Sequence, residues 1–342
     1  MPHTNGTQYA PDTLNGIIRM NDRNLAEFEH SEIVQPTQFF KRLPWIVASN
    51  GTQHKFTVVK TAAGVAFRAI GEGVVNASAQ ELTRSLDLKY IDFSWHEDVA
   101  SVDGKVNKGA YMEKKTMRSL NAGLAAVEAQ VIKGTDTSKG FDGLQQLANL
   151  YDGNSINVGG SGGTRVYMMI VGVEDVAGII GNNGNMTYSE PAISPFITNI
   201  NTGATRNDYN VAAGGYLGLQ VAGKYSVAFA YNIDGATGKG VTDALLSQLF
   251  AKFPSDRLPF INCILMSMKG LGQLQASRTA TNPTGAPAPF PASWDAAGRA
   301  IQIVVSDAVD DNESTVTTTT TTTAATTTTT TAATTTTTTT AG

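Results

Sequence analysis

The chain has 342 residues, one cysteine and a formal net charge of −4, without a run of basic residues. This charge argues against a protein that grips nucleic acid through a cationic patch, because neutralising phosphates dominates such binding. One cysteine excludes an internal disulfide and a cysteine-rich metal site. No stretch approaches the 18 apolar residues that span a membrane, and the N-terminus lacks a signal pattern. We therefore expect a soluble protein made in a cytoplasm.

The N-terminal segment, residues 1–48, predicts an arm. Residues 1–13 are polar and rich in turn-forming residues, and residues 14–30 have the spacing of a short helix. The apolar positions of this helix are Leu14, Ile17, Ile18, Leu25 and Phe28. An aromatic and aliphatic cluster follows at Phe39, Phe40, Leu43, Trp45 and Ile46. Such a cluster anchors an arm to the body or to a neighbouring subunit, and an ordinary core position explains it equally well.

Residues 49–100 predict a long two-stranded excursion. Residues 54–60 (HKFTVVK) have the composition of a strand, and residues 84–96 (RSLDLKYIDFSWH) that of a longer one. The apolar alternation shifts between Tyr90 and Ile91, which predicts a β-bulge. The stretch between the strands is small and glycine-punctuated, and an irregular stretch of that length is uncommon inside a compact domain. We therefore expect the two-stranded excursion to pack against another molecule.

Residues 108–133 predict a long α-helix. Apolar residues recur at spacings of three and four, which is one helical stripe. They are Met117, Leu120, Leu124, Val127 and Val131. The rod would be about 39 Å long, with Gly134 as its C-cap. Its charged residues mostly lie off the stripe: Glu113, Lys114, Lys115, Arg118 and Glu128.

The rest of the chain predicts an α/β body with a mixed sheet. A short helix lies between Gly143 and Gly153, and residues 165–173 read as a buried strand. A helical turn is predicted at 173–181, an irregular insertion at 181–215, and a pair of strands around Gly223. Residues 241–253 predict a helix with Thr242 as N-cap. PFINCILMSM then predicts a buried strand, followed by a short helix, a loop rich in proline and alanine, and a last strand in IQIVVSD.

Residues 315–342 are almost entirely threonine and alanine, with alanine pairs eight residues apart. Threonine is β-branched and favours extended backbone. An extended tail of this length could reach about 90 Å. We expect an ordered arm paired with another element; a disordered stalk is the alternative.

No catalytic or metal-binding constellation emerges. Residues 159–163 (GGSGG) match G-x-S-x-G, but a strand follows where the motif needs a helix, and no histidine occurs after His96. The same segment lacks the lysine of a phosphate-binding loop. The histidines have no metal-ligand spacing. The acidic pairs at 174–175 and 310–311 lie in predicted loops, where solvated turns outrank general acid or base roles. The sequence thus predicts no enzyme, cofactor or metal site.

The order of these parts resembles the major capsid protein of tailed double-stranded DNA bacteriophages, the Hong Kong 97-type fold. Three stretches are similar to recurring patterns of that family: RVYMMIVGVEDVAGIIGNNG, YLGLQVAGKYSVAFAYNID, and the pair LPFINCILMSMKGLGQLQASR and GRAIQIVVSDAV. The resemblance covers roughly residues 14–313, and the threonine-rich tail departs from the family's usual ending.

The resemblance implies an α+β fold with an N-terminal arm, an extended β loop, a spine helix with a peripheral domain, and an α/β axial domain. The implied ranges are 1–48 for the arm, 49–100 for the extended loop, 101–139 for the spine helix and peripheral domain, 140–300 for the axial domain, 301–314 for a closing strand and 315–342 for the C-terminal arm.

The resemblance also implies a structural function. Hexamers and pentamers of the chain would form an icosahedral shell around double-stranded DNA in the virion, without sequence-specific binding. Scaffolding, portal and cement proteins are further implied partners. Candidate intersubunit contacts are Phe67, Arg68, Glu72, Lys114, Lys115 and Arg118. An encapsulin-like compartment shell, a tail-tube protein, or a monomeric carbohydrate- or ice-binding module are the alternatives.

Overall fold

A computed structural model describes residues 38–61, 70, 80–105, 107–137, 139–150, 154–199, 203–282 and 286–314. The predicted helix at 14–30 and the threonine-rich tail lie outside these ranges. So do three of the candidate contact residues, Phe67, Arg68 and Glu72.

The described residues form six α-helices and 17 strands, which follow one another mostly in runs of the same type. The helices are α1 (Gln38–Arg42), α2 (Val99–Asp103), α3 (Lys108–Lys133), α4 (Leu144–Asn149), α5 (Asp243–Phe250) and α6 (Met268–Thr281). The strands are β1 (Trp45–Val47), β2 (Gln53–Thr61), β3 (Gln80–Asp87), β4 (Lys89–Asp92), β5 (Trp95–Asp98), β6 (Ser155–Asn157), β7 (Gly162–Met169), β8 (Val176–Ile180), β9 (Thr187–Tyr188), β10 (Ala192–Asn199), β11 (Ala204–Val211), β12 (Ala213–Val221), β13 (Val227–Ile233), β14 (Cys263–Met266), β15 (Ser293–Ala296), β16 (Arg299–Val305) and β17 (Glu313–Ser314).

The largest sheet is mixed and has seven strands in the order β15-β16-β14-β7-β13-β6, with β17 also pairing with β7. Apolar side chains cover both of its faces. Along β7, Val166 and Met168 join the cluster under α5 and α6, whereas Tyr167 and Met169 join the cluster on the other face. The predicted buried strands at β7 and β14 are therefore confirmed, and two-sided burial explains their nearly continuous apolar sequences.

The predicted helices of this body are also confirmed. Thr242 caps α5, because its hydroxyl accepts a hydrogen bond from the Leu245 amide at 3.1 Å. α4 lies where the glycine-bounded pattern places it. Three short strands of this sheet were missed, β6, β15 and β17. β15 begins in the last two residues of the loop rich in proline and alanine and pairs with β16.

A second sheet has five strands, in the order β1-β8-β12-β4 with β9 on β12. It corrects two predictions. Residues 173–181 do not form a helical turn but contain strand β8, whose apolar run is buried on both faces. β12 and β13 do not pair with each other, since β12 belongs to this sheet and β13 to the larger one. The turn at Gly223 carries the chain from one sheet to the other.

The single strand predicted at 84–96 is wrong. The segment contains three strands in three sheets: β3 pairs with β2, β4 with β12, and β5 with β11. The shift in apolar alternation between Tyr90 and Ile91 falls within β4 and marks no bulge. Burial along β4 alternates regularly, with Ile91 half-buried and Tyr90 exposed, so Tyr90 is an apolar side chain on the outer face of the strand.

The irregular insertion predicted at 181–215 is wrong as well. This segment forms β9 and the antiparallel pair β10–β11, which continues through β5 as a three-stranded sheet. The segment was predicted to be irregular because its composition is polar. It is polar because its sheet packs on only a small cluster of buried residues, on one face. The cluster consists of Trp95, Val102, Tyr209 and Val211.

Helix α3 has the predicted bounds, but its stripe is buried only near the C-terminus. Val127 and Val131 are buried, whereas Met117 is 51% exposed. Glu128, placed off the stripe by its charge, is fully buried. Its carboxylate accepts hydrogen bonds from the Phe40 amide at 3.1 Å and from the Ser306 hydroxyl. One buried side chain thus joins α1, the long helix and the segment after β16.

Candidate assembly surfaces

Strands β2 and β3 form a separate sheet of two strands, the β2–β3 ribbon. They pair in one register from Gln53↔Asp87 to Val59↔Glu81, and the register shifts before Thr61↔Gln80. An isolated two-stranded ribbon is marginally stable in water. Apolar side chains along it remain in solvent: Val59 is 59% exposed, and Leu82 is exposed too. No described residue buries Val59 or Leu82, so this part of the ribbon is available for contact with another molecule. The candidates Phe67, Arg68 and Glu72 lie between its strands, outside the described residues.

The base of the ribbon is fastened to the five-stranded sheet. The Nδ1 atom of His54 accepts from the Ser49 amide at 3.2 Å, so a neutral ring carries its hydrogen on Nε2, which lies 2.9 Å from Oε1 of Gln220. Leu88 fills the space over Gly218, where a Cβ would meet its Cδ2 atom at 2.5 Å. A buried imidazole and a tight glycine contact therefore fix the direction in which the ribbon leaves.

The cations predicted on α3 have different environments. Nζ of Lys115 contacts the buried carboxylate of Glu97 on β5. The hydroxyls of Tyr111 and Ser101 donate to the same carboxylate at 2.7 and 3.2 Å. Lys115 therefore holds the helix against its own sheet. Lys114 and Arg118 are exposed and also interact with other groups of the chain. Their role between subunits stays a prediction.

Strand β10 presents an apolar surface that the sequence did not reveal. It is the edge of the three-stranded sheet, and Ile193 and Ile197 are 56% and 58% exposed. Pro195, between them, cannot donate a backbone hydrogen bond, as is common on edge strands. Alternating isoleucines around a proline are the signal that could have identified this strand within a polar segment.

The C-terminal segment runs along the body before the tail begins. Lys133 contacts Asp310 at 2.7 Å, Lys269 donates to the Asp311 carbonyl at 2.9 Å, and Nε of Arg165 lies 2.5 Å from Glu313. β17 then pairs with Gly162 and Gly163 of β7. Two ion pairs, one hydrogen bond to a backbone carbonyl and a short ladder therefore fix residues 310–314, which precede the tail, on the body.

The G-x-S-x-G stretch has no catalytic geometry. Ser161 lies between β6 and β7, and its amide and hydroxyl contact Asp234 at 3.0 and 3.4 Å. Backbone amides of Ala236 and then Ser161 lower the pKa of this carboxyl. The described histidines are occupied elsewhere, with His96 stacked on Phe196 at 4.1 Å. Within the described part of the chain, no group of three or more acidic, histidine or cysteine residues could hold a metal.

No described helix combines the length and apolar character needed to cross a bilayer. Comparison of the sequence with family models and with curated proteins finds no match.

Solved structures do match the fold. A chain from the cryo-EM structure of bacteriophage Epsilon15 superposes with a TM-score of 0.65 at 17% identity, covering 90% of this chain and 98% of the other. A chain of the bacteriophage JBD30 capsid gives a TM-score of 0.50 at 10% identity, covering 81% and 92%. An encapsulin from Synechococcus elongatus gives only 0.42 at 12% identity, covering 61% and 93%.

The two phage structures define the class of the fold. The chain has the α+β, Hong Kong 97-type fold of phage capsid proteins, as the order of its parts predicted. The ranges predicted for its domains remain a prediction.

Proposed function

We propose that the chain is the major capsid protein of a tailed bacteriophage and that its copies form an icosahedral head. The observation that carries this proposal is the match to the Epsilon15 chain, which spans nearly the whole of both chains. The role is structural. Hexamers and pentamers would tile the shell, and ring contacts of this head-to-tail kind close by rotation.

The distribution of apolar surface supports self-association. The described residues leave the β2–β3 ribbon and the edge strand β10 with exposed apolar side chains, while the body buries two large clusters. Exposed apolar patches on a protein with its own core mark interaction sites. Identical copies are the partner that this proposal requires.

The net charge of −4 suits a shell that encloses double-stranded DNA without binding it tightly. Portal, scaffolding and cement proteins would be the other partners, and assembly would follow synthesis in the host cytoplasm.

A size measurement tests the proposal directly. Light scattering and negative-stain microscopy of the expressed chain should show closed, isometric particles. A monomer at high concentration would contradict the proposal and favour a carbohydrate- or ice-binding module. Nuclease-protected DNA in particles from infected cells would separate a phage head from an encapsulin-like compartment, and open tubes would indicate a tail protein.

Two surfaces carry finer hypotheses. If the extended loop contacts a neighbouring subunit, Arg68→Glu or Glu72→Lys should lower particle yield, with Lys55→Glu at an exposed position of β2 as the charge control. If the threonine-rich tail adds a strand to a neighbour, deleting residues 315–342 should lower the melting temperature of the particles. Unchanged yield or melting would count against the respective contact.

A further inference from the structure

The apolar stripe of α3 changes its environment along the helix. Near the C-terminus of α3, Val127 and Val131 belong to the same buried cluster as Phe39 and Leu43. Phe39 lies in α1, and Leu43 follows it directly. Toward the N-terminus, Met117 is 51% exposed. Its stripe neighbours are Leu120 and Leu124, which are half-buried and belong to none of the apolar clusters of the described residues.

The uncovered residues continue the covered stripe. At 100° per residue, the five stripe residues from Met117 to Val131 lie within an arc of about 80°. The face that packs on the sheets lies to one side of this arc. There, Thr116 accepts from the Trp95 indole at 3.0 Å, and Ser119 donates to the Phe93 carbonyl at 2.6 Å. The N-terminal half of the stripe therefore needs a different element to cover it.

The chain itself supplies such an element beside the covered half. The described chain starts at α1, and the Phe40 amide lies 3.1 Å from Glu128. Met117 precedes Glu128 by 11 residues, about 17 Å along a helix axis. Residues 31–37 could span about 23 Å when extended. This connection is longer than the distance along α3 from Glu128 to Met117, so residues 14–30 can reach the uncovered half of the stripe.

We infer that residues 14–30 dock, as an amphipathic helix, on Met117, Leu120 and Leu124 of the same chain. The apolar residues Leu14, Ile17, Ile18, Leu25 and Phe28 provide the matching surface. α1 packs on the C-terminal half of the stripe, and the docked segment would pack on its N-terminal half. Docking buries the apolar side chains of this segment and of α3. The short connection favours the arm of the same copy over that of a neighbour.

Thiol labelling of the purified, assembled protein tests the docking. Met117→Cys lies on the stripe, and the matched control Ala126→Cys lies exposed on the opposite side of α3. Cys263 is buried and gives little background. With the arm intact, a maleimide should modify Cys at 117 at least tenfold more slowly than Cys at 126. Without residues 1–30, the two rates should become equal. Equal rates in the full chain, or slow labelling at 117 in both proteins, would overturn the inference.

A photo-crosslinking residue at position 117 identifies what covers the stripe. A product with the mass of a single chain, joined to residues 14–30 in peptide mapping, supports the inference. Products of two chains, or products joined only to other segments, overturn it. The readout does not depend on the shell's architecture, so the inference can fail while the proposed function stands.

Discussion

The body and the periphery of the molecule reach stability in different ways. The seven-stranded sheet has large apolar clusters on both faces, and nearly every residue of β7, β13 and β14 is buried. The three-stranded sheet rests on a cluster of four buried residues, and the described part of the β2–β3 ribbon belongs to none of the clusters. Within the described residues, the body therefore buries apolar side chains on both faces of its sheet, whereas the ribbon and the three-stranded sheet bury few.

The largest effect is expected in the body. Leu249 on α5 is fully buried beneath the main sheet. Leu249→Ala should lower the free energy of unfolding by about 2–5 kcal/mol, because it removes apolar contacts and leaves a cavity. Urea denaturation of the unassembled chain measures this loss. A loss below about 1 kcal/mol would contradict the description of this region as a tightly packed core.

Glu128 connects body and arm, and its removal should have the next largest effect. Glu128→Ala leaves the Phe40 amide and the Ser306 hydroxyl without their acceptor. Each buried unsatisfied group costs about 1–3 kcal/mol. Glu128→Gln keeps an acceptor and should cost less. Urea denaturation of both variants, beside Glu113→Gln on the exposed part of the helix, tests the order; equal losses in all three would contradict it.

Gly178 tests how the arm's aromatic cluster meets the body. A Cβ at this position would lie 2.5 Å from the Trp45 ring. Gly178→Ala should displace the indole and destabilise the chain by about 1–3 kcal/mol, as overpacking does. Tryptophan fluorescence and thermal melting follow the change. Gly172→Ala, where nothing lies within 4 Å of the added Cβ, should leave both unchanged.

The buried thiol of the body gives a pH-dependent prediction. Burial raises the pKa of Cys263 from 9.0 to about 12. Its contribution to stability is therefore complete below pH 9 and is lost as pH rises toward 12. Between these values, stability should fall by up to about 1.4 kcal/mol per pH unit more steeply than in Cys263→Ala. Urea denaturation at several pH values compares the slopes; parallel slopes would contradict the shift.

The smallest effect on stability is expected in the ribbon. Replacing Val59 and Leu82 together by serine should change the free energy of unfolding of the unassembled chain by no more than about 1 kcal/mol, because both side chains are exposed and each exposed substitution contributes about 0.5 kcal/mol or less. The same double variant should lower the yield of particles counted by negative-stain microscopy. Wild-type yield would show that the apolar residues of the ribbon are not used in assembly.

Local sequence patterns predicted the elements whose signal is repeated and uniform. The bounds of α3, the cap at Thr242 and the buried strands β7 and β14 follow from spacing, hydrogen-bonding side chains and continuous apolar runs. Each of these signals arises between residues close together in the chain, so no knowledge of distant partners is needed. The order of these elements also sufficed to predict the class of fold.

Only the tertiary structure decided which segments meet. Residues 84–96 supply three sheets, β12 and β13 separate at Gly223, and a polar stretch becomes the hairpin β10–β11. The same holds within one helix, where Met117 and Val131 share a stripe but only Val131 is buried. Spacing along the chain determines which side of an element is apolar. Whether that side is buried depends on residues far away in sequence, and only the complete fold determines which of them pack against it.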